Sequence, residues 1–144
     1  MSDSDLIQLY SGRILELAAN IPHLGRLSAP DGTARKRSPL CGSTVTVDVT
    51  VKDGHVTEFA QDVKACALGQ ASAAILGQVV IGRNLAELAA AREALKAMLK
   101  DSGPVPLAPF SGYEILLPAR DYKNRHASIL LALDAVCEAV ALAE

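Results

Sequence analysis

Hydrophobic and polar residues alternate along one stretch of the chain with a period of two. Between Thr44 and Lys52, the even positions are polar and the odd positions are valine: Val45, Val47, Val49 and Val51. Successive side chains of a β-strand point to opposite faces. The pattern therefore predicts a strand over residues 44–52 that buries its valine face.

A tight turn follows this strand. Asp53-Gly54 is a strong short hairpin signal, and the return strand is predicted from about Val56 to Lys64. A two-residue loop would set Glu58 opposite Val49, whereas a three-residue loop sets Phe59 there. Because Phe59 is the better partner for a buried valine, we expect the longer loop or a β-bulge.

Helical spacing of apolar residues appears in four other segments. Residues 4–19 predict an amphipathic helix that ends at Asn20-Ile21-Pro22. The segment after Cys66 is rich in alanine and predicts a helix that packs closely against the sheet. Asn84 with Glu87 forms a plausible capping box for a third helix. The apolar stripes of the last two helices are Leu88, Ala91, Leu95 and Met98, then Ile129, Leu133, Val136 and Val140.

Two connections complete the chain. Residues 23–39 contain glycine, proline and basic residues, with one or two short extended pieces expected around the turn dipeptide Asp31-Gly32. Residues 103–120 read as a proline-rich connection with a central apolar piece, and the last helix is predicted to start between Tyr122 and Ser128. We therefore predict one α+β domain over residues 1–144, a small antiparallel sheet (hairpin about 44–64 plus an N-terminal strand) covered by helices.

Charge and composition exclude several classes of function. The 144 residues include 14 basic and 16 acidic side chains, giving a formal charge of −2. This balance gives no electrostatic reason to expect nucleic acid or an anionic membrane as a partner. The apolar stretches look too short for a membrane span, and the N-terminus is acidic where a secretion signal is basic. We expect a cytoplasmic protein.

Cysteine supplies the candidate chemistry. A reducing compartment would keep the three cysteines as thiols, available to metals or to persulfide chemistry. Cys41 and Cys66 lie 25 positions apart, at the two open ends of the predicted hairpin. Folding should therefore bring both to one edge of the sheet.

The local sequence around these cysteines favours a reactive role. Cys66 is predicted at a helix N-terminus, where free amide groups favour a thiolate, and Lys64 is close in sequence. Gly42 gives the backbone freedom beside Cys41. His126, near the start of the last helix, is the natural third ligand if that helix docks beside the hairpin.

Plainer interpretations compete with each of these. An isolated intracellular cysteine is commonly a small buried hydrophobe, and the helical spacing of Cys137 after Leu130 and Leu133 favours that interpretation for it. A histidine at a helix start is commonly a capping or surface residue. A Cys66–His126 pair could also serve a thiol hydrolase, although no convincing oxyanion-forming glycine turn follows either cysteine.

Several separated segments resemble one known family. These are Pro39-Leu40-Cys41-Gly42, the valine-rich hairpin, Cys66 with Ala71-Ser72-Ala73, and Arg125-His126-Ala127-Ser128-Ile129-Leu130. In order and spacing they resemble the iron-sulfur cluster assembly scaffolds of the IscU/NifU N-terminal family. The stretch of about 60 residues between Cys66 and His126 resembles that of the SufU-like branch.

The resemblance implies a fold, a site and partners. Family members carry three cysteines, an aspartate and sometimes a histidine at one end of the sheet. A cysteine desulfurase delivers sulfur, and a transient [2Fe-2S] cluster passes to iron-sulfur acceptor proteins, whereas SufU-like members bind zinc and accept sulfur. The carried-over residues are Cys41, Cys66 and His126. The chain departs at Ser43, where the family has aspartate, and at Ala127, where it has the third cysteine.

These observations predict a scaffold rather than an enzyme. Cys41, Cys66 and His126 are its predicted ligands for iron or a [2Fe-2S] cluster. The alternative is a zinc-binding, SufU-like sulfur acceptor that partners a cysteine desulfurase. Three protein ligands leave a four-coordinate ion in need of water, a nearby group such as Asp121, or another chain, so a homodimer is compatible with the sequence.

Overall fold

A computed structural model describes residues 11–39 and 42–144 of the chain. In chain order its elements are α1 (Gly12–Ala19), β1 (Gly32–Arg37), β2 (Thr44–Lys52), β3 (His55–Lys64), α2 (Ala67–Val79), α3 (Leu85–Lys100), a 3₁₀ helix (Ser111–Asp121) and α4 (Lys123–Ala143). Among these residues, the strands form an antiparallel sheet in the order β1-β2-β3. The predicted α+β architecture is confirmed.

The hairpin register confirms the expected pairing of Val49 with Phe59. The connection is nevertheless the two-residue turn, because Lys52 pairs with His55, and both Asp53 and Gly54 have positive φ. The ladder shifts register between Thr50 and Val51. A β-bulge beside a short turn, and not a longer loop, therefore keeps the aromatic ring on the buried face.

Helix α4 supplies the centre of the core. It packs against the buried face of β1 and β2 and also against α2 and α3. Its four predicted stripe residues are all buried: Ile129, Leu133, Val136 and Val140. Cys137, predicted on the inner stripe, is only half-buried, beside the Arg92–Asp134 ion pair, although it packs against the core.

The composition of α4 corrects one expectation. The helix has 21 residues, and an 18-residue window within it has a mean hydropathy of 1.7. By length and composition alone, α4 could cross a membrane. The sequence led us to expect every apolar stretch to be too short for a membrane span, and α4 shows that this expectation is wrong. Most of that window is buried inside the fold, as is typical of a central helix covered on several sides.

Two other segments differ from the predictions. The predicted helix over residues 4–19 begins, in its described part, at Gly12, because the Ser11 hydroxyl caps it by accepting from the Ile14 amide. Residues 4–10 lie outside the described part. The extended piece expected around Asp31-Gly32 is confirmed as β1, but Gly32 is the first residue of that strand and the dipeptide is not a turn.

The predicted proline-rich connection contains a 3₁₀ helix over Ser111–Asp121. Tyr113, Leu116 and Ala119 are buried, which is the three-residue period of a 3₁₀ helix. The capping box of α3 is confirmed: Asn84 accepts from the Glu87 amide, and the Glu87 carboxylate accepts from the Asn84 amide. These two elements lead the chain back to the start of α4.

A buried carboxylate fixes the loop before β1 to the outer face of the sheet. Asp48 is fully buried and accepts hydrogen bonds from the Arg26 guanidinium, the Leu27 amide and the Thr33 hydroxyl. Burial acts to raise the pKa of Asp48, but the hydrogen bonds from Arg26, Thr33 and Leu27 outweigh it. The pKa of Asp48 is therefore held below its ordinary value.

This depressed pKa predicts how Asp48→Asn changes stability with pH. A carboxylate whose pKa is lower in the folded state stabilises the fold above its unfolded pKa of about 3.9, and that contribution is lost as pH falls through the folded value. We expect Asp48→Asn to lower the free energy of unfolding at pH 7 by about 2 kcal/mol, because hydrogen bonds to a charged group are lost. Urea denaturation at pH 7 and at pH 3 measures this loss.

The control for that experiment is Asp62→Asn. Asp62 is exposed on the neighbouring strand and has no ion pair within 4.0 Å in the described part of the chain. Its change should stay within about 0.5 kcal/mol. An Asp48→Asn loss that was equally large at pH 3 and pH 7 would contradict the assigned ionisation.

Candidate functional site

Cys66 stands at the junction of the sheet and helix α2. It is the N-cap residue of α2, two positions after the last residue of β3, and its side chain is partly exposed. The Gln70 side chain holds this corner by donating to the Ala65 carbonyl at 3.0 Å. The predicted placement of this cysteine at a helix N-terminus is confirmed, and the free amides of the first turn favour negative charge there.

A row of hydroxyl groups leads from Cys66 into the protein. The Cys66 Sγ lies 3.4 Å from the Ser128 Oγ, and the Ser128 hydroxyl donates to the Ser43 Oγ at 3.0 Å. Both serines are buried. This row, Cys66–Ser128–Ser43, joins α2, α4 and the start of β2.

The close approach of α2 and α4 makes this row possible. A Cβ atom on Gly69 would lie 2.5 Å from the Ser128 Oγ and 2.8 Å from the Ala65 Cβ. One turn further along α2, the buried Ser72 hydroxyl donates to the Ile129 carbonyl at 2.6 Å. The absence of a side chain at Gly69 therefore leaves the space that the Ser128 hydroxyl occupies.

Cys41 lies outside the described residues, but the chain on both sides of it is held. The Ser38 amide donates to the Ser43 carbonyl at 2.8 Å, and the Gly42 amide donates to the Ser38 carbonyl at 2.9 Å. Gly42 has a positive φ of 69°, which glycine adopts without strain. Ser43, two positions after Cys41, is thus linked to Cys66 through the hydroxyl of Ser128.

His126 has different partners. It is buried in the first turns of α4, and its Nε2 lies 3.0 Å from the carbonyl oxygens of Ala119 and Arg120. Carbonyl oxygens only accept hydrogen bonds, so Nε2 carries the proton and donates to them. A metal bound by His126 in this arrangement would have to use Nδ1.

The polar cavity beside His126 contains Asp121, the residue considered as a further ligand. It has a volume of about 390 Å³ and is also lined by Lys100, Arg120 and Lys123. In the part of the chain that the structure describes, no three His, Cys, Asp or Glu side chains are grouped so that they could hold a metal ion. The ligand set Cys41, Cys66 and His126 therefore stays a prediction.

The described hydrogen bonds do not pair Cys66 with an imidazole. The partner of Cys66 is the Ser128 hydroxyl, whereas His126 donates to backbone carbonyls. Nothing in this arrangement activates Cys66 as the nucleophile of a Cys–His hydrolase, which needs a base within hydrogen-bond reach.

Cys137 differs from Cys66 in its electrostatic environment. It lies on the outer side of α4 in an open cavity with Lys36, Arg37 and Arg92. Burial raises the pKa of the Cys137 thiol to about 11, and the nearby Asp134 adds to that increase. Its thiol therefore stays protonated at neutral pH, which makes Cys137 a matched control for experiments on Cys66.

Sequence reasoning missed the role of the two serines. In the sequence, Ser43 stands out only as a departure from an aspartate, and Ser128 only as part of the segment Arg125-His126-Ala127-Ser128-Ile129-Leu130. The available signal was Gly69, a glycine inside a predicted helix, which commonly marks a close approach of another element.

A family model and two curated relatives of this chain point to the same protein family. Residues 9–140 match the NifU-like N terminal domain. Two curated proteins of Archaeoglobus fulgidus, both named iron-sulfur cluster assembly scaffold protein IscU, are each 24% identical over 79 residues, which is 55% of this chain and 52% of theirs. The chain thus spans about half the length of the curated relatives it matches.

Solved structures share the fold over almost the whole chain. A nitrogen-fixing NifU-like protein (N-terminal) from Brucella abortus is 48% identical, with a TM-score of 0.93 and 96% of both chains covered. An iron-sulfur cluster assembly scaffold protein for the SUF system from Fervidobacterium islandicum AW-1 has a TM-score of 0.81 at 18% identity, covering 93% of this chain and 98% of that one. The second likeness concerns the fold alone. The resemblance seen in the sequence is confirmed.

Proposed function

This chain belongs to the NifU-like N-terminal domain family, and from that premise we propose that it receives iron and sulfur at the end of the sheet that carries Cys66. It holds them transiently as a [2Fe-2S] cluster and passes the cluster to acceptor proteins. The sulfur comes from a cysteine desulfurase as a persulfide, and a thiol reductant supplies the two electrons that convert each persulfide sulfur to the sulfide of the cluster. In this proposal the protein is a scaffold for the cluster, and the cluster is its cargo.

The observation that carries this proposal is the row Cys66–Ser128–Ser43. It brings Ser43, which directly precedes β2 and lies two residues after Cys41, close to a partly exposed thiol at a helix N-terminus. Thiolate sulfur is the ligand that iron-sulfur clusters take from proteins. Cys41 and Cys66 are thus the proposed protein ligands, with His126 in an auxiliary role through Nδ1.

Anaerobic reconstitution with ferrous iron and sulfide tests the scaffold function. We expect the wild-type protein to develop visible charge-transfer absorption of a cluster, and Cys41→Ser and Cys66→Ser to lose it, because each removes one thiolate ligand. Cys137→Ser is the control and should behave like the wild type, since Cys137 lies nine residues beyond Ser128, about 13 Å along α4. A wild-type protein without absorption, or equal absorption in all four proteins, would contradict the proposal.

A second candidate function is a zinc-binding sulfur acceptor that partners a cysteine desulfurase. The observation that favours it is the reduced ligand set: Ser43 and Ala127 stand where the family has an aspartate and a third cysteine. Cys41, Cys66 and His126 with one water would complete the four ligands of a single zinc ion, whereas the two irons of a [2Fe-2S] cluster take four protein ligands. Zinc near one atom per chain in protein purified without added metal, lost in Cys66→Ser, would favour this function. Absence of zinc would exclude it.

A further inference from the structure

In the row Cys66–Ser128–Ser43, the donor and acceptor roles of the hydrogen bonds can be exchanged. The Ser128 hydroxyl has one hydrogen, which it donates to the Ser43 Oγ, so its oxygen accepts from the Cys66 thiol. A serine hydroxyl rotates freely and can equally donate toward an anionic sulfur. Such hydrogen bonds to a charged atom are roughly twice as strong as neutral ones.

We infer that Ser128, supported by Ser43, is a positioning residue that donates a hydrogen bond to the outer, anionic sulfur of a persulfide carried by Cys66. This inference rests on the proposed function, since it needs sulfur to arrive at Cys66. It assigns the two buried hydroxyls the role of stabilising bound sulfur in a chain that has Ser43 and Ala127 at the positions of the family aspartate and third cysteine.

Burial makes this role effective. Ser43 and Ser128 are 3% and 1% exposed, so water does not compete for their hydroxyls, while Cys66 itself reaches solvent. Gly69 leaves the Ser128 hydroxyl free to turn toward Cys66, because any side chain at position 69 would displace it. The sulfur at Cys66 thus contacts the Ser128 hydroxyl on its buried side and is accessible to solvent on its other side.

The transfer step balances without a further reagent. The Cys66 thiolate attacks the outer sulfur of a persulfide on the donor protein, a new S–S bond forms at Cys66, and the donor S–S bond breaks. The donor cysteine leaves as a thiolate, and the proton of the Cys66 thiol goes to solvent. Ser128 takes no proton in this step and only donates a hydrogen bond to the product.

The test uses the cysteine desulfurase of the same organism with ³⁴S-labelled cysteine, and follows the labelled persulfide on Cys66 by mass spectrometry. After the desulfurase is removed, we expect the half-life of the Cys66 persulfide to fall about tenfold in Ser128→Ala, because a hydrogen bond to a charged sulfur is lost. Ser128→Thr keeps the hydroxyl and should restore most of the half-life. Ser43→Ala should give an intermediate value.

Ser72→Ala is the matched control. Ser72 is also buried, and it also bridges α2 to α4, but it donates to the Ile129 carbonyl and belongs to no described contact with Cys66. It should lower the melting temperature as Ser128→Ala does and leave the persulfide half-life unchanged. This comparison separates positioning of the sulfur from a general loss of helix packing.

Two outcomes would overturn the inference, and they are distinguishable. If the wild-type protein acquires no persulfide on Cys66, sulfur acceptance fails and the inference fails with it. If the wild type acquires persulfide and Ser128→Ala retains it within twofold of the wild-type half-life, only the inference is wrong.

Discussion

Alanine in place of Gly32 is expected to lower the free energy of unfolding by about 3 kcal/mol or more. A Cβ atom on Gly32 would lie 2.0 Å from the Ala139 carbonyl oxygen and 3.1 Å from the Ala143 Cβ. The closer atom belongs to the backbone of α4, so no side-chain rotation relieves the contact. Strand β1 would have to separate from the central helix.

Urea denaturation of Gly32→Ala at neutral pH measures this loss, with Gly12→Ala as control. Gly12 is the first residue of α1, and nothing lies within 4 Å of a Cβ built there. Because alanine is the better helix former, the control should be neutral or slightly stabilising. A loss of less than about 1 kcal/mol in Gly32→Ala would show that β1 and α4 are not packed as closely as described.

The Gly69→Ala variant is expected to disable the site while leaving the protein folded. Its Cβ would displace the Ser128 hydroxyl, 2.5 Å away, and press on the Ala65 Cβ at 2.8 Å. Overpacking costs about 1–3 kcal/mol, and the helix propensity of alanine returns up to about 1 kcal/mol. Since a domain has about 5–15 kcal/mol of stability, folding should survive while the contact of Ser128 with Cys66 is lost.

Two measurements test Gly69→Ala: the melting temperature and the half-life of the Cys66 persulfide. Circular dichroism should show a folded protein with a reduced melting temperature. Persulfide on Cys66 should decay about as fast as in Ser128→Ala, since both variants remove the same hydrogen bond. Gly12→Ala again serves as control. A folded Gly69→Ala protein with a wild-type persulfide half-life would contradict the role given to this close approach.

The sheet and the long helices could be predicted from the sequence because each has a strong local signal. The valine alternation over Thr44–Lys52 and the Asp53-Gly54 turn determine the hairpin, and the need to bury Phe59 beside Val49 indicated the bulge. The Asn84 cap and the apolar stripe predicted α3, and a second apolar stripe predicted α4. In each case the residues that set the element are close together in the sequence.

Features that depend on distant contacts were missed. Asp31-Gly32 resembles a turn, but Gly32 is required by the backbone of α4, more than 100 positions away. The 3₁₀ helix has a three-residue period that is easily mistaken for an irregular apolar connection. The partial exposure of Cys137 depends on its position beside Arg92 and Asp134, which periodicity alone does not reveal.

The candidate site shows the same limit. The helix N-terminal position of Cys66 followed from the sequence, because a strand and a helix were predicted on either side of it. Its contact with Ser128 joins residues 62 positions apart, and the contact of Ser128 with Ser43 joins residues 85 apart. Packing of α4 against both α2 and the segment that leads into β2 creates this row, and no local pattern specifies it.

The most direct test of the proposed role is the iron, zinc and acid-labile sulfide content of the chain purified anaerobically after co-expression with its cysteine desulfurase. We predict iron and sulfide in equal amounts on the wild-type protein, both lost in Cys66→Ser and both retained in Cys137→Ser. Wild-type protein that contains neither iron nor sulfide, or a content that Cys66→Ser does not change, would contradict a scaffold built around Cys66.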